Sequence, residues 1–303
     1  MTPKPLAIVP RPKPERLPKK VYMTIAAGFN CSDGVVLCAD TQETRRQILK
    51  VRVPKLVRRP ELDYENSDRK ALFSGAGEGP FIDKLINRAW KAALHADADI
   101  GTVADAMEES IKNTHQEYAG IYQPGYLPEV QLIYGLWVKG YPTRLFASVG
   151  PVVNPVESHE CVGIGEVLAR FIADRMFVPG ITTSRMAEIL SVYLHEQCKD
   201  YVDGCGGESV VAILKGDGTL KALQFADVQY IMLILGQLDA YAGSILLRGA
   251  DPDISDEEFE NVMKTSLAMV KHTRRMNAAL QQKVEDAHSE AKQSASQKSE
   301  PGQ

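Results

Sequence analysis

Two short runs of mostly apolar residues open the ordered part of the chain. Residues 22–29 (YMTIAAGF) and 34–39 (GVVLCA) flank Asn30-Cys31-Ser32-Asp33-Gly34. An Asp-Gly step between partly β-branched runs predicts a hairpin, because glycine accepts the backbone angles that tight turns need. The stretch 41–52 is polar and basic and predicts no element, with a short strand expected around 55–57. Ala71-Leu72-Phe73-Ser74-Gly75-Ala76-Gly77 predicts a buried strand ending in a glycine turn. The period then changes. Residues 81–96 place Ile82, Leu85, Ile86, Ala89, Trp90 and Ala93 at three- and four-residue spacing, one face of a helix. Residues 102–118 repeat it with Val103, Ala106, Ile111 and His115. Strands are expected at 130–138 and 143–149, helices at 166–177 and 183–201, and a hairpin at 209–214 with 220–225.

Strands, two helices, strands, two helices, strands: segregated runs of this kind predict packed sheets with helical layers outside, an α+β class rather than an alternating parallel sheet. Past Asp227 a strongly apolar helix is expected over 230–247. Ser255-Asp256-Glu257-Glu258 has the hydroxyl and early acids of a helix start, and that helix should run past Met276. Residues 289–303, rich in Gln and Ser, read as a disordered tail. The domain reading is a flexible, basic, Pro-rich leader or propeptide at 1–22, one main domain at 23–250, a helical extension at 251–288, and the tail.

Composition narrows the partners. With 35 basic against 39 acidic side chains, nothing points to nucleic acid. Five scattered cysteines without a CxxC pair argue against a disulfide framework or zinc knuckle and for a reducing compartment, so a cytoplasmic location is expected. The six histidines lack metal-ligand spacing, and no cofactor or metal is implied. Unbroken apolar stretches read as too short for a membrane span.

The chemistry lies at strand ends. An N-terminal threonine can act alone: its hydroxyl attacks a carbonyl while its α-amine, which titrates near neutrality, takes the proton. A cationic lysine would stabilise developing negative charge, a carboxylate would hold the lysine, and backbone N–H groups in a glycine turn could cradle an oxyanion. Thr24 opens the first strand, Asp40 ends the second and Lys55 starts the third, and a hairpin would bring the first two together. Taken singly, Thr24 could be an ordinary strand residue, Asp40 a turn cap and Lys55 a solvated cation. Cys205 reads as a small buried residue rather than a nucleophile.

At these residues the chain resembles a known family. Met23-Thr24-Ile25-Ala26-Ala27-Gly28, Asp33-Gly34-Val35-Val36-Leu37-Cys38-Ala39-Asp40 and Pro54-Lys55-Leu56 look like the opening of proteasome β-type subunits, the proteasome-like N-terminal-nucleophile hydrolases, in a bacterial-type homologue. Phe73-Ser74-Gly75-Ala76-Gly77 before a helix pair, Cys161-Val162-Gly163-Ile164-Gly165, and Asp203-Gly204-Cys205-Gly206-Gly207 are similar to later motifs of that family, in order, over roughly residues 23 to 225. The resemblance implies a four-layer αββα sandwich and threonine-type peptide hydrolysis inside a ring-shaped homo-oligomer. Its substrate would be peptide or unfolded protein, with an ATPase partner left open. Carried over by position, Thr24 is nucleophile and proton acceptor, Asp40 orients Lys55, Asp203 supports the threonine, and the N–H groups of Gly163, Ile164 and Gly165 form the oxyanion site.

The sequence departs from the pattern in three ways. Met23 precedes Thr24 where processed members usually have glycine. Ile164 stands where active members usually carry serine. Cys205 replaces a common hydroxyl, and Asp203 aligns only after a one-residue shift. Met23-Thr24 would itself be a natural translation start, methionine removal then freeing the α-amine. The expectation is therefore a threonine endopeptidase whose activity is conditional on processing. The alternatives are a catalytically silent scaffold subunit of the same fold and, third, a small-amide amidase.

Overall fold

The structure is a computed structural model and describes residues 24–45, 49–121 and 128–297. The leader at 1–22, Met23 and residues 298–303 of the expected tail lie outside the described residues.

The expected hairpin forms. Strands β1 (Ile25–Cys31) and β2 (Gly34–Asp40) pair antiparallel from Ala26↔Ala39 to Cys31↔Gly34. The chain then makes a two-stranded ribbon, β3 (Gln42–Arg45) with β4 (Leu49–Arg52). That corrects the reading of 41–52 as without an element. The ribbon was hidden because its sequence, QETR and LKVR, lacks the apolar alternation that marks a strand with one face in a core.

Two five-stranded antiparallel sheets carry the molecule. One joins β1 and β2 to β10 (His159–Gly163), β11 (Ser209–Lys215) and β12 (Leu220–Ala222) in the order β10-β1-β2-β11-β12. The other runs in sequence order: β5 (Val57–Arg59), β6 (Arg69–Gly77), β7 (Val130–Val138), β8 (Arg144–Val149) and β9 (Val152–Val156). Strands β9 and β10 were not expected. Both are short, and Pro155, His159 and Glu160 break the apolar pattern.

Three apolar clusters explain the packing. Helices α1 (Gly79–His95) and α2 (Ile100–Ala119) bury Leu85, Ile86, Ala89, Met107 and Ile111 against Phe73, Leu132 and Tyr134 of the second sheet. Helices α3 (Glu166–Met176) and α4 (Ser184–Tyr201) bury Ala169, Ala173, Leu190 and Leu194 against Ile25, Ala27, Val36 and Cys38 of the first. Between the sheets, Ala26, Val35 and Leu37 meet Leu72, Ile133 and Leu145. The approach there is close. A β-carbon on Gly28 would lie 2.6 Å from Ile133 Cγ2 and 2.8 Å from Leu37 Cδ2.

Helix starts follow the capping rules. Asp99 accepts from the Thr102 N–H at 3.0 Å to open α2, and Thr183 accepts from the Met186 N–H at 3.3 Å to open α4. Asp33, in the β1–β2 turn, accepts from both the N–H (2.6 Å) and the hydroxyl (2.7 Å) of Ser184. The hairpin turn and the start of α4 are thereby joined.

The chain closes with α5 (Phe225–Gly249) and α6 (Asp256–Gln297), which pack on each other; α5 also packs on α4. Helix α5 starts five residues earlier than the apolar run suggested. Its 25 residues, at hydropathy 1.5 over its most apolar window, are long and apolar enough to cross a membrane by length and composition. This corrects the sequence reading, which weighed only unbroken runs. Asp227, Gln229, Gln237 and Asp239 interrupt the run without ending the helix. Helix α6 runs on to Gln297 where a disordered tail was expected from 289, because Gln, Lys, Glu and Ala at 279–297 are compatible with a helix.

Candidate active site

The first sheet gathers three chain segments around one residue. Thr24, 5 % exposed, immediately precedes β1. On one side, β1 pairs with β2 in a register that brings Ile25 opposite the Asp40 end. On the other, Ile25 pairs with Gly163 at the end of β10. Ser209, the first residue of β11, pairs with Asp40 itself, so the loop before β11 reaches the same end.

Lys55, just beyond the ribbon, closes the group. Its Nζ donates to the Thr24 hydroxyl, to Asp40 Oδ1 and to the backbone carbonyl of Gln42. The Thr24 hydroxyl donates to the same Asp40 oxygen at 2.6 Å. Asp40 is fully buried, a costly position for a carboxylate without partners. It has them: besides the hydroxyl and the ammonium, it accepts from the Ile25 N–H at 3.4 Å and, on Oδ2, from the Gly206 N–H at 3.3 Å. Lys55 is almost as enclosed, with 12 % of its side chain exposed. A hydroxyl, a buried carboxylate and an ammonium group thus share direct hydrogen bonds in largely buried surroundings, where charges interact strongly.

The glycine turn is shaped around the threonine. Gly163 has φ +97°, and a β-carbon there would sit 2.3 Å from the Thr24 carbonyl oxygen. The three N–H groups expected as an oxyanion cradle are not all available. Gly163 N–H donates to Gln131 Oε1 at 3.1 Å and Gly165 N–H to the Thr24 carbonyl at 3.4 Å. The second of these bonds joins the turn directly to Thr24. Ile164 turns its side chain toward the α3–α4 core and packs there as an apolar residue.

Asp203 does not join the cluster. Gly204, at φ +98°, reverses the chain, leaving Asp203 exposed while Cys205 and Gly206 are buried. From this loop it is the Gly206 N–H that reaches Asp40. Cys205 is a packing residue: burial, then the Asp40 charge, push its thiol up to about 12, with Lys55 opposing. Its sulfur and that of Cys198 lie against Gly165, 2.9 and 3.3 Å from where a β-carbon would be. Gln42, Gly206 and Gln131 were missed in the sequence because two act through backbone atoms and the third comes from the other sheet. Only the two-residue spacing from Asp40, which ends β2, to Gln42, which opens β3, could have flagged any of them.

Two surface cavities lie elsewhere. One lies between α1 and α2, lined by Arg88, Lys91, His95 and Glu109, and the other beside Asp68, Arg69 and Lys139; neither is lined by Thr24, Asp40 or Lys55. Among the described residues, no group of three or more His, Cys, Asp or Glu side chains could hold a metal ion.

No family model matches the sequence, and no curated protein matches it. Solved structures do. The fold is similar to Anbu (ancestral beta-subunit) from Yersinia bercovieri, with TM-score 0.62 and 16 % identity over 77 % of this chain and 100 % of that one. The likeness is one of fold. Anbu from Hyphomicrobium sp. strain MC1 superimposes at TM-score 0.57 and 17 % identity, over 77 % of this chain and 99 % of its own. The helical assembly of the Anbu complex from Pseudomonas aeruginosa gives TM-score 0.57 and 16 % identity over the same shares. These findings overturn the reading of the chain as a proteasome β-type subunit: neither sequence comparison returns that family, and the solved structures described above are Anbu proteins. The motifs behind that reading are short strings rich in Gly and Asp, several of which lie at turns of this fold.

Proposed function

We propose that this chain is an amide-bond hydrolase of the N-terminal-nucleophile type on an Anbu-like fold, with Thr24 as nucleophile. One observation carries the reading: the Lys55 ammonium group is hydrogen-bonded at once to the Thr24 hydroxyl and to the buried Asp40 carboxylate. In that role Lys55 stabilises negative charge developing on the Thr24 oxygen, and Asp40 holds Lys55 in place. The proton acceptor is the Thr24 α-amine, so the chemistry requires Thr24 to be the first residue; in the full-length chain its nitrogen is a peptide amide. The finer form of the reading is a threonine endopeptidase acting on peptides, in a four-layer αββα arrangement with α1–α2 and α3–α4 outside the two sheets. The helical assembly formed by the Pseudomonas aeruginosa relative supports self-association of this chain as well.

The test compares protein beginning at Thr24 with the full-length chain on small fluorogenic peptides, with Thr24→Ala as control. Turnover by the Thr24-initiated form alone, abolished by Thr24→Ala, is the expected result. Equal activity in the Thr24→Ala protein would sink the assignment. A second reading, a silent scaffold of the same fold, draws on Ile164, packed into the core, and on the exposed Asp203. Absence of turnover from a folded, Thr24-initiated assembly would favour it. Native mass measurement tests self-association, a monomer being the adverse outcome.

A further inference from the structure

Beside the cluster sits a polar group that the reaction outlined above does not use. Gln42 follows Asp40 by two residues, and its backbone carbonyl accepts from Lys55 Nζ. One ammonium group therefore separates Gln42 from the Thr24 hydroxyl. Its side-chain carboxamide lies flat on Gly206. A β-carbon on that glycine would be 2.7 Å from Gln42 Oε1, 3.1 Å from Cδ and 3.3 Å from Nε2. Gly206 is the residue whose N–H holds Asp40. The carboxamide is thus one residue removed from the catalytic carboxylate on either route, along the chain through Thr41 or across the loop through Gly206.

Gln42 Nε2 is buried and has no hydrogen-bond partner. A carboxamide nitrogen is a donor of two hydrogens, and leaving it dry and unpaired costs stability. Among the other orphaned polar atoms, Tyr134 Oη and Ser148 Oγ lie in the second sheet, and Ser209 Oγ lies on the residue of β11 that pairs with Asp40. Gln42 combines an unpaired buried donor with a bonded link to Lys55. Such a donor is satisfied when an acceptor arrives with the substrate.

We infer that Gln42 is a substrate-positioning residue whose carboxamide donates to a carbonyl oxygen of the bound amide, next to the bond that Thr24 attacks. The inference rests on the hydrolase reading and adds to it the chemistry of recognition: an acyl group with a second carbonyl, as a peptide has and a simple amide lacks. The contact exists in the bound ground state as well as during reaction, so it acts on KM rather than kcat.

Gln42→Met keeps the length and shape of the side chain and removes the donor. In the full-length chain its melting midpoint should stay level or rise, because an unpaired polar group has been replaced by an apolar one. In the Thr24-initiated protein, KM for acetyl-trileucine aminomethylcoumarin should rise roughly 5- to 10-fold with kcat unchanged, the worth of one neutral hydrogen bond. A fall in melting midpoint would mean that the amide serves the fold, and overturns the inference whether or not the chain hydrolyses anything. An unchanged KM overturns it too. Should the Thr24-initiated protein prove inert, the hydrolase reading fails separately, and calorimetric binding of acetyl-trileucine amide to full-length Thr24→Ala decides the matter for Gln42. Weaker binding after adding Gln42→Met supports it; equal binding, or none by either protein, overturns it.

Discussion

At the scale of single residues, the site is a balance of one buried negative charge against its donors. Asp40 is fully buried, and Lys55 is the only ammonium group bonded to it among the described residues. Removing one partner of such a pair leaves an uncompensated charge, at a cost of about 3–5 kcal/mol. Lys55→Met should therefore destabilise the fold by that order as well as abolish turnover, measured by denaturant unfolding. Replacing both partners, Lys55→Met with Asp40→Leu, should recover most of the stability and none of the activity. If the single variant unfolds like the parent, Asp40 is not carrying a charge that needs Lys55. Gly163 offers a second test. With φ +97° and Thr24 pressed against it, Gly163→Ala imposes a strain of about 1–3 kcal/mol. Its effect should fall on the placement of Thr24, so turnover should drop far more than the melting midpoint.

At the scale of elements, the β1–β2 hairpin made the site legible. The Asp-Gly step fixed the turn, the turn fixed the register, and the register put Thr24 beside Asp40 although sixteen residues separate them. Lys55 reads as the start of a short strand, but the strand begins two residues later, with β5 at Val57, and Lys55 lies in the connection between the ribbon and β5. What stayed hidden was hidden for physical reasons. Asp203 sits in a motif that reads correctly, but the backbone reversal at Gly204 decides which residue faces inward, and a string of letters does not show it. Strand β10 carries Gly163 to Thr24 through backbone pairing, which leaves little mark in so short and polar a segment. The hairpin also has a titratable anchor. Burial alone would raise the Asp33 pKa, but the two bonds from Ser184, together with its own backbone N–H and the Lys215 charge, outweigh it and hold the carboxyl below its ordinary value. A lowered pKa means the folded state favours the ionised form. Its contribution is present above the ordinary carboxylate range and is lost as pH falls through the depressed value. Asp33→Ala should cost roughly 1 kcal/mol at neutral pH, as loss of a helix-end partner does. The gap between variant and parent should close in acid. A pH-independent gap would show that the loss is one of packing.

At the scale of the molecule, the site depends on how closely the two sheets meet. Thr24, Asp40 and Lys55 are set by the first sheet and the ribbon, but Gln131, which holds the Gly163 N–H, comes from the second. The spacing between sheets therefore sets the tension on the glycine turn. Gly28 and Gly135 keep that spacing small: β-carbons there would fall 2.6 Å from Ile133 Cγ2 and 2.9 Å from Val35 Cγ1. Gly28→Ala forces the sheets apart or Ile133 out of place, an overpacking cost of about 1–3 kcal/mol. In a chain of this size that lowers the melting midpoint by roughly 2–4 °C per kcal/mol. Ile133→Ala makes the opposite error, a cavity costing about 2–5 kcal/mol. Combined, the added methyl group enters the space that Ile133 vacates, so the double variant should be more stable than the sum of the two losses by more than 0.5 kcal/mol or so. Turnover in the Thr24-initiated form should follow the same pattern, falling in Gly28→Ala and partly returning in the double variant. Additive losses in both stability and rate would mean that the sheets give way locally, and that their spacing does not reach the glycine turn.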